Sequence, residues 1–190
     1  MKSVSANEVA DLYRALLEEG VQLWLGGGWG VDALLQRETR SHKDLDALIA
    51  FSDLPALARS LSQRGFTFKE VWEENLWTPF PELLALIGRP RPANESEVAT
   101  AFVLEKTSLE LDIHVVRFDE HGRATPAWAS DFVFSAGAFQ GVGEIAGTAV
   151  RCLSVETQIR LRTGYALQEK DTQDLRSLRA RFGDTLLRNP

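Results

Sequence analysis

Two aspartates two positions apart are the residues of this sequence best suited to metal chemistry. Asp44 and Asp46 flank Leu45 and open an apolar run that extends to Phe51. In a strand the side chains at i and i+2 point to the same face, so the two carboxylates would lie side by side. Adjacent carboxylates repel unless a cation or a shared proton intervenes, and Mg²⁺ prefers oxygen ligands and can also hold phosphates. The doublet predicts half of a magnesium site, with a solvated strand end as the alternative.

A third acid stands on the polar side of a later strand. Residues 108–116 alternate in hydropathy, which is typical of a half-buried strand. One face carries Leu109, Leu111, Ile113 and Val115, and the other carries Glu110, Asp112 and His114. Asp112 is the predicted third acid of a two-metal phosphoryl-transfer site, with Glu110 as the alternative. His114 is either part of that site or a hydrogen-bonded structural residue.

A glycine-rich segment and a cationic loop precede the aspartates. Residues 26–30 read Gly-Gly-Gly-Trp-Gly, which is either an ordinary tight turn or a turn that faces phosphates at a helix start. A P-loop is excluded because no Gly-Lys-Ser/Thr follows, and a full dinucleotide-binding fingerprint lacks its third glycine, where Val31 stands. The loop before the doublet supplies Arg40, His42 and Lys43, which could bind phosphate oxygens.

Composition narrows the class of protein. The 190 residues are 44% hydrophobic, and 21 Lys and Arg face 27 Asp and Glu, for a net charge of −6. This balance disfavours a nucleic acid as the main partner, because such binding depends on neutralising phosphates. Cys152 is the only cysteine, so no intramolecular disulfide can form. With no apolar leader and no run of membrane-spanning length, we expect a cytoplasmic protein without a membrane partner.

The periodicity predicts an α/β protein. Ser5 and Glu8 form a capping box at the first helix, and Ser154 caps a later one. The pattern predicts helices at 5–20, 29–35 and 54–65, strands at 21–25, 44–51, 66–71, 97–106 and 108–116, a hairpin at 143–152, and C-terminal helices after 154 and from 171 to about 183. Residues 72–94 are predicted as a long loop with at most one short helix near 82–87. This order indicates a sheet with helices packed on it.

Two segments of the chain resemble a known family. Residues 25–33 and 39–46 closely resemble the antibiotic nucleotidyltransferases, namely the lincosamide and aminoglycoside 2″-O-nucleotidyltransferases of the polymerase-β-like superfamily. Residues 147–154, Gly164-Tyr165, Lys170-Asp171 and Asp174-Leu175 also resemble that group. The resemblance implies an α/β nucleotidyltransferase fold, with a mixed sheet flanked by helices and with C-terminal helices. It further implies a core of residues 1–152 and a helical segment of residues 153–190 packed on it, in one compact domain.

The resemblance also implies a reaction and assigns roles to residues. The implied reaction is the Mg²⁺-dependent transfer of a nucleoside monophosphate from an NTP to a hydroxyl of a small acceptor, with release of pyrophosphate. AMP is the expected nucleoside monophosphate. Asp44, Asp46 and Asp112 would bind Mg²⁺, two ions in all, and Asp112 would also act as general base, whereas Gly27, Gly28, Arg40, His42 and Lys170 would bind the nucleotide. Arg40 and His42 would contact phosphates or brace their loop. The protein would be a monomer or a homodimer.

The acceptor is predicted to be an aminoglycoside or a lincosamide antibiotic. Trp72, Glu73, Glu74, Trp77 and Glu82 lie in the irregular segment, and aromatic faces with carboxylates suit a polycationic aminocyclitol. The same residues equally suit an ordinary loop anchored by its tryptophans. The alternative function is that of an antitoxin-type minimal nucleotidyltransferase, which binds and nucleotidylates a protein partner. The large hairpin and the C-terminal helix favour the antibiotic-modifying branch.

Overall fold

The fold is built on one mixed sheet. The computed structural model describes residues 3–72, 76–79, 99–104, 109–126, 132–163 and 166–183. For residues 67–72, 76–79 and 99–104 it describes the backbone alone. Its described strands are β1 Leu23–Leu25, β2 Asp44–Ala50, β3 Thr67–Trp72, β4 Leu76–Pro79, β5 Ala99–Leu104, β6 Leu109–Phe118, β7 Ala124–Pro126, β8 Gly141–Ile145 and β9 Thr148–Cys152. They are ordered β4-β3-β5-β6-β2-β1-β9-β8, and β7 pairs with β6. The pairs β2–β6 and β1–β9 are parallel, and the other described pairs are antiparallel. The predicted mixed sheet is confirmed.

Helices accompany the sheet at both ends of the chain. The described α-helices are α1 Ala6–Glu18, α2 Gly27–Leu35, α3 Leu54–Gln63, α4 Val155–Arg160 and α5 Glu169–Phe182. The capping box predicted for α1 is confirmed: the Glu8 N–H donates to the Ser5 hydroxyl oxygen at 3.3 Å, and the Ser5 N–H donates to the Glu8 carboxylate at 2.9 Å. Ser154 caps α4 as predicted, because its hydroxyl oxygen accepts the Thr157 N–H.

The helix α2 begins two residues before its predicted start at Trp29. Glycine disfavours helices, so residues 26–28 were expected in the turn. Instead the Gly30 N–H donates to the Gly26 carbonyl at 2.6 Å and closes the first helical turn around Gly27. The glycines therefore belong to the first turn of α2, directly after β1.

Apolar clusters pack on both faces of the sheet. The main core lies between the sheet and helices α1, α2 and α3, and its fully buried members include Val9, Leu16, Leu25, Leu45, Ile49, Leu57, Leu61 and Leu111. On the other face Trp24, Leu48, Val116, Phe134, Phe139 and Leu153 form a second cluster. A third cluster packs α4 and α5 on α2 and consists of Val31, Leu35, Ile159, Leu175 and Leu178. This last contact places residues of the C-terminal helices beside the glycines.

The prediction for residues 72–94 was wrong at one place. The strand β4, Leu76–Pro79, lies where only loop or a short helix was expected, and it pairs with β3 in antiparallel register. A strand with a proline is tolerated here because β4 forms the edge of the sheet. The helix predicted near 82–87 lies outside the described residues. Within the described ranges, the structure contains no helix with the length and apolar character needed to cross a membrane.

Candidate active site

The parallel pairing of β2 with β6 brings the predicted acids together. In the register of these strands Asp44 is opposite Glu110, and Asp46 is opposite Asp112. All four side chains are half-buried, while the residues between them are buried on the opposite face of the sheet. The structure thus places Asp44, Asp46 and Asp112 on one face, as predicted, and it adds Glu110 to the same group.

Burial and the charges of neighbouring carboxylates raise the pKa values of two of these acids, Asp112 and Asp44. Burial, reinforced by the charges of Asp46, Glu110 and Asp44, raises the pKa of Asp112 to about 7, against a lowering by His114. Burial, followed by the charge of Asp46, also raises the pKa of Asp44. The His114 Nε2 atom lies 3.9 Å from the Asp46 Oδ1 atom. The raised pKa values indicate that this face of the sheet is short of positive charge.

The carboxylates form an oxygen-only donor set, which is the set that Mg²⁺ takes in phosphoryl-transfer sites. A divalent cation would offset the burial and the repulsion that together raise the pKa values of Asp44 and Asp112. In the part of the chain that the structure describes, no three His, Cys, Asp or Glu side chains are gathered closely enough to hold a metal ion as they stand. The residues fit Mg²⁺ by charge and donor type, and their side chains would have to close on it.

The glycine turn packs directly against these acids. The Gly26 N–H donates to the Asp46 carbonyl at 2.9 Å. Gly27 has a φ of +49°, and a Cβ atom there would overlap the Asp46 carboxylate, while one on Gly28 would overlap the side chains of His42 and Arg40. Only glycine fits these two positions. The first N–H groups of α2, at the positive end of its dipole, therefore lie beside the carboxylates.

His42 serves as a brace in the structure. Its side chain is buried, its Nε2 atom lies 2.6 Å from Asp32 Oδ2, and its ring packs on Trp29 with 4.5 Å between centroids. The other oxygen of Asp32 accepts the N–H and the hydroxyl of Thr39, at 3.2 and 2.5 Å. The loop before β2 is therefore fixed to α2 through Asp32. Two roles were predicted for His42, phosphate contact and bracing of its loop, and these contacts are those of a brace.

Arg40 and Lys170 each interact with the charge of Asp44. The Arg40 guanidinium donates from Nε and Nη2 to the Asp174 carboxylate, at 3.0 and 3.2 Å, and Nη2 also lies beside Gly28. Lys170 is exposed on the first turn of α5, and its charge lowers the pKa of Asp44. Arg40 therefore lies near both the glycine turn and the acids, and Lys170 lies near Asp44.

Sequence reasoning gave no role to three buried polar residues of this region, namely Asp32, Arg162 and Asp174. Asp32 was visible as an acid within an apolar helix, and Asp174 as an acid sharing a helix face with Leu175 and Leu178. No local pattern distinguishes Arg162. Of the cluster predicted to receive the acceptor, Glu73, Glu74 and Glu82 lie outside the described residues, and for Trp72 and Trp77 only the backbone, in β3 and β4, is described.

Comparison with known proteins identifies relatives of this chain. A family model described as aminoglycoside-2″-adenylyltransferase matches residues 8–77 and 83–178. The chain is 25% identical over 162 residues to a lincosamide resistance protein of Staphylococcus haemolyticus, covering 84% of this chain and 85% of that protein.

Solved structures agree in fold. The lincomycin-bound lincosamide antibiotic adenylyltransferase LnuA superposes with a TM-score of 0.71 at 22% identity, covering 94% of this chain and 99% of that one. ANT(2″)-Ia in complex with adenylyl-2″-tobramycin gives a TM-score of 0.57 at 18% identity, covering 94% of this chain and 89% of that one. The predicted nucleotidyltransferase fold is confirmed.

Proposed function

The chain belongs to the aminoglycoside-2″-adenylyltransferase family and is therefore an antibiotic nucleotidyltransferase. We propose that it transfers AMP from ATP to a hydroxyl of an aminoglycoside or lincosamide, with release of pyrophosphate. One observation carries the proposal. Asp46 and Asp112 face each other on adjacent parallel strands, directly beside Gly27 and Gly28 at the start of α2.

The acids have separate tasks in this proposal. Asp44, Asp46 and Asp112 would hold Mg²⁺, two ions in all, which would neutralise the charge of the triphosphate and of the leaving pyrophosphate. Asp112 lies on the same face and accepts the proton of the acceptor hydroxyl as that oxygen attacks the α-phosphorus. Glu110, opposite Asp44, is the alternative base.

The nucleotide is held on the glycine side. The first N–H groups of α2 donate to phosphate oxygens, and the half-buried Gly27 is the most exposed of the three glycines of this turn. Arg40 and Lys170 supply positive charge around the phosphates, while His42 keeps the loop that carries Arg40 in place. These residues stabilise negative charge that grows on the leaving group.

The choice of acceptor follows from the relatives and from charge. One relative that matches over most of its length is a lincosamide resistance protein, whereas the family description names aminoglycosides. The net charge of −6 is compatible with the ammonium groups of either class, and most of all with those of a polycationic aminoglycoside. We further propose a cytoplasmic monomer or homodimer, with a core of residues 1–152 and a helical segment of residues 153–190.

The test is a matrix of nucleotides and acceptors. Purified protein is incubated with each NTP, Mg²⁺ and a panel of aminoglycosides and lincosamides, pyrophosphate is measured, and products are examined by mass spectrometry. We expect pyrophosphate release with at least one antibiotic, together with a product heavier by one nucleotidyl group, and neither with Asp112→Asn. Absence of both signals across the panel would overturn the proposal, and nucleotidylation of a co-purifying protein instead would favour the antitoxin-type alternative.

A further inference from the structure

A buried ion network joins the C-terminal helices to the glycine turn. Arg162, just after α4, has a side chain that is only 6% exposed. Its Nη2 atom donates to the Asp174 carboxylate at 2.9 Å and to the Gly27 carbonyl at 3.1 Å, and its Nη1 atom donates to both the backbone and the side-chain oxygen of Gln158, at 2.8 and 2.9 Å. One guanidinium thus ties α4, α5 and the first turn of α2 together.

Asp174 extends the network to Arg40. Its side chain is 1% exposed and accepts hydrogen bonds from both Arg40 and Arg162. Two guanidinium groups share one carboxylate, so the trio retains one positive charge. Arg40 is the member nearest to solvent, with 20% of its side chain exposed, and its Nη2 atom lies beside Gly28. Asp174 therefore determines where that charge stands relative to the glycine turn.

Burial of this network costs free energy, and some of its polar atoms lack a hydrogen-bond partner. Among the described residues, the buried Arg162 Nε and Gln158 Nε2 atoms have no hydrogen-bond partner. Buried ion networks are weak contributors to stability, and apolar side chains of similar size often replace them without loss. The cost of this network therefore calls for another explanation, and its contacts with Gly27 and its placement of Arg40 beside Gly28 connect it to nucleotide binding.

We propose that Arg162 and Asp174 are positioning residues, which hold the Gly27 carbonyl and the Arg40 guanidinium in the arrangement that binds the triphosphate of the nucleotide. This inference rests on the proposed function. It assigns a part of the nucleotide affinity to Arg162 and Asp174, which act through Arg40 and the glycine turn and do not themselves contact the nucleotide.

The test compares two variants with a matched control on the same helix. Asp174→Asn keeps the shape but removes the negative charge and one of the two acceptor oxygens that the guanidinium groups share, and Arg162→Lys keeps the charge but loses the fork of donors. Asp171→Asn is the control: Asp171 is equally a buried acid of α5, but it caps the helix by accepting the Gln168 N–H. The dissociation constant of Mg²⁺-ATP is measured by calorimetry, alongside the melting temperature of each protein and the KM for the acceptor.

We expect both network variants to weaken ATP binding by about tenfold or more, the loss typical of one charge-assisted contact, with the acceptor KM unchanged. The Asp171→Asn control should lower the melting temperature and leave ATP binding within about twofold of wild type. Asp174→Asn and Arg162→Lys are independent tests, so either one decides the inference if the other fails to fold. When either is combined with Arg40→Lys, the loss in the double variant should be smaller than the sum of the two single losses, because both act in part through the Arg40 guanidinium.

The outcomes separate the two proposals. If the network variants bind ATP as tightly as the control does, or if the Arg40 and Arg162 effects are additive, the inference is overturned while the proposed function stands. If wild-type protein binds ATP but modifies no antibiotic, the acceptor proposal fails, and the binding comparison still decides this inference. If wild-type protein binds none of the four NTPs, both are overturned.

Discussion

Gly27 lies directly against Asp46: a Cβ atom on Gly27 would overlap the carboxylate carbon and Oδ2 of that acid. The contact joins the turn proposed to bind phosphate to an acid proposed to bind metal. A side chain at Gly27 would therefore move Asp46, and it would also be strained by the φ of +49°.

Gly27→Ala should reduce nucleotidyl transfer by at least about 100-fold, because misplacement by about 1 Å is enough to cost that much. The control is Gly147→Ala, since Gly147 has a φ of +77° but no described atom within 4 Å of its Cβ position. The Gly147→Ala variant has the backbone strain of a positive φ but no steric overlap of its Cβ atom, so its activity should stay within about twofold of wild type. Equal losses in the two variants would show that strain, and not contact with Asp46, is responsible.

Asp112→Asn should abolish transfer while nucleotide binding is largely retained, because the amide cannot accept the hydroxyl proton. Single-turnover rates and calorimetry with ATP separate the two effects. The matched variant is Glu110→Gln, which removes the neighbouring acid on the same face of β6. Normal turnover in Asp112→Asn, with loss in Glu110→Gln, would transfer the role of base to Glu110.

The contribution of Asp112 to the stability of the metal-free protein should fall as the pH rises from about 4 to about 7. The pKa of Asp112 is about 7 in the folded chain against an ordinary 3.8, so the folded state binds the proton more tightly across this interval. Ionisation above pH 7 therefore leaves a constant destabilisation, which Asp112→Asn removes. With EDTA present, the variant should melt at a higher temperature than wild type at pH 8 and show a smaller advantage at pH 4.

A second arm of that experiment adds magnesium. The cation should raise the melting temperature of wild type more at pH 8 than at pH 5, because the carboxylates must be ionised to bind it. Glu38→Gln changes an exposed acid and should leave the pH dependence as in wild type. A wild-type stability that does not respond to Mg²⁺ at either pH would contradict the metal proposal.

Asp32→Ala should destabilise the fold by about 3 kcal/mol, because it leaves the buried His42 and the Thr39 donors without their acceptor. Urea unfolding measures the change. The comparison is Asp11→Ala, which removes an exposed ion pair with Arg14 and should have little effect. Similar losses in the two variants would mean that the pair of His42 and Asp32 does not hold the loop.

Cys152 should be inert in the native protein. It is fully buried in β9, and burial raises the pKa of its thiol to about 12, so almost no thiolate exists at pH 8. A thiol reagent at pH 8 should label it only after unfolding in denaturant. Rapid labelling of native protein would show that β9 opens locally.

Local patterns in the sequence determined the elements and the candidate acids. The capping box of Ser5 and Glu8, the alternation along β6 and the placement of Asp44 and Asp46 on one face of β2 each depend on residues that follow one another closely within a single element, and the structure has all three as predicted. Such features need only the geometry of one helix turn or one strand, so they can be recognised without knowing what the element packs against.

The tertiary structure alone decided which residues of distant elements lie next to each other in the site. Only the register of β2 with β6 places Asp46 opposite Asp112, and only the packing of α4 and α5 on α2 brings Arg162 to Gly27, 135 positions away. It also turned His42 inward to Asp32 and made the glycines part of α2. These relationships arise from burial shared between distant elements, and no periodicity within a single segment encodes them.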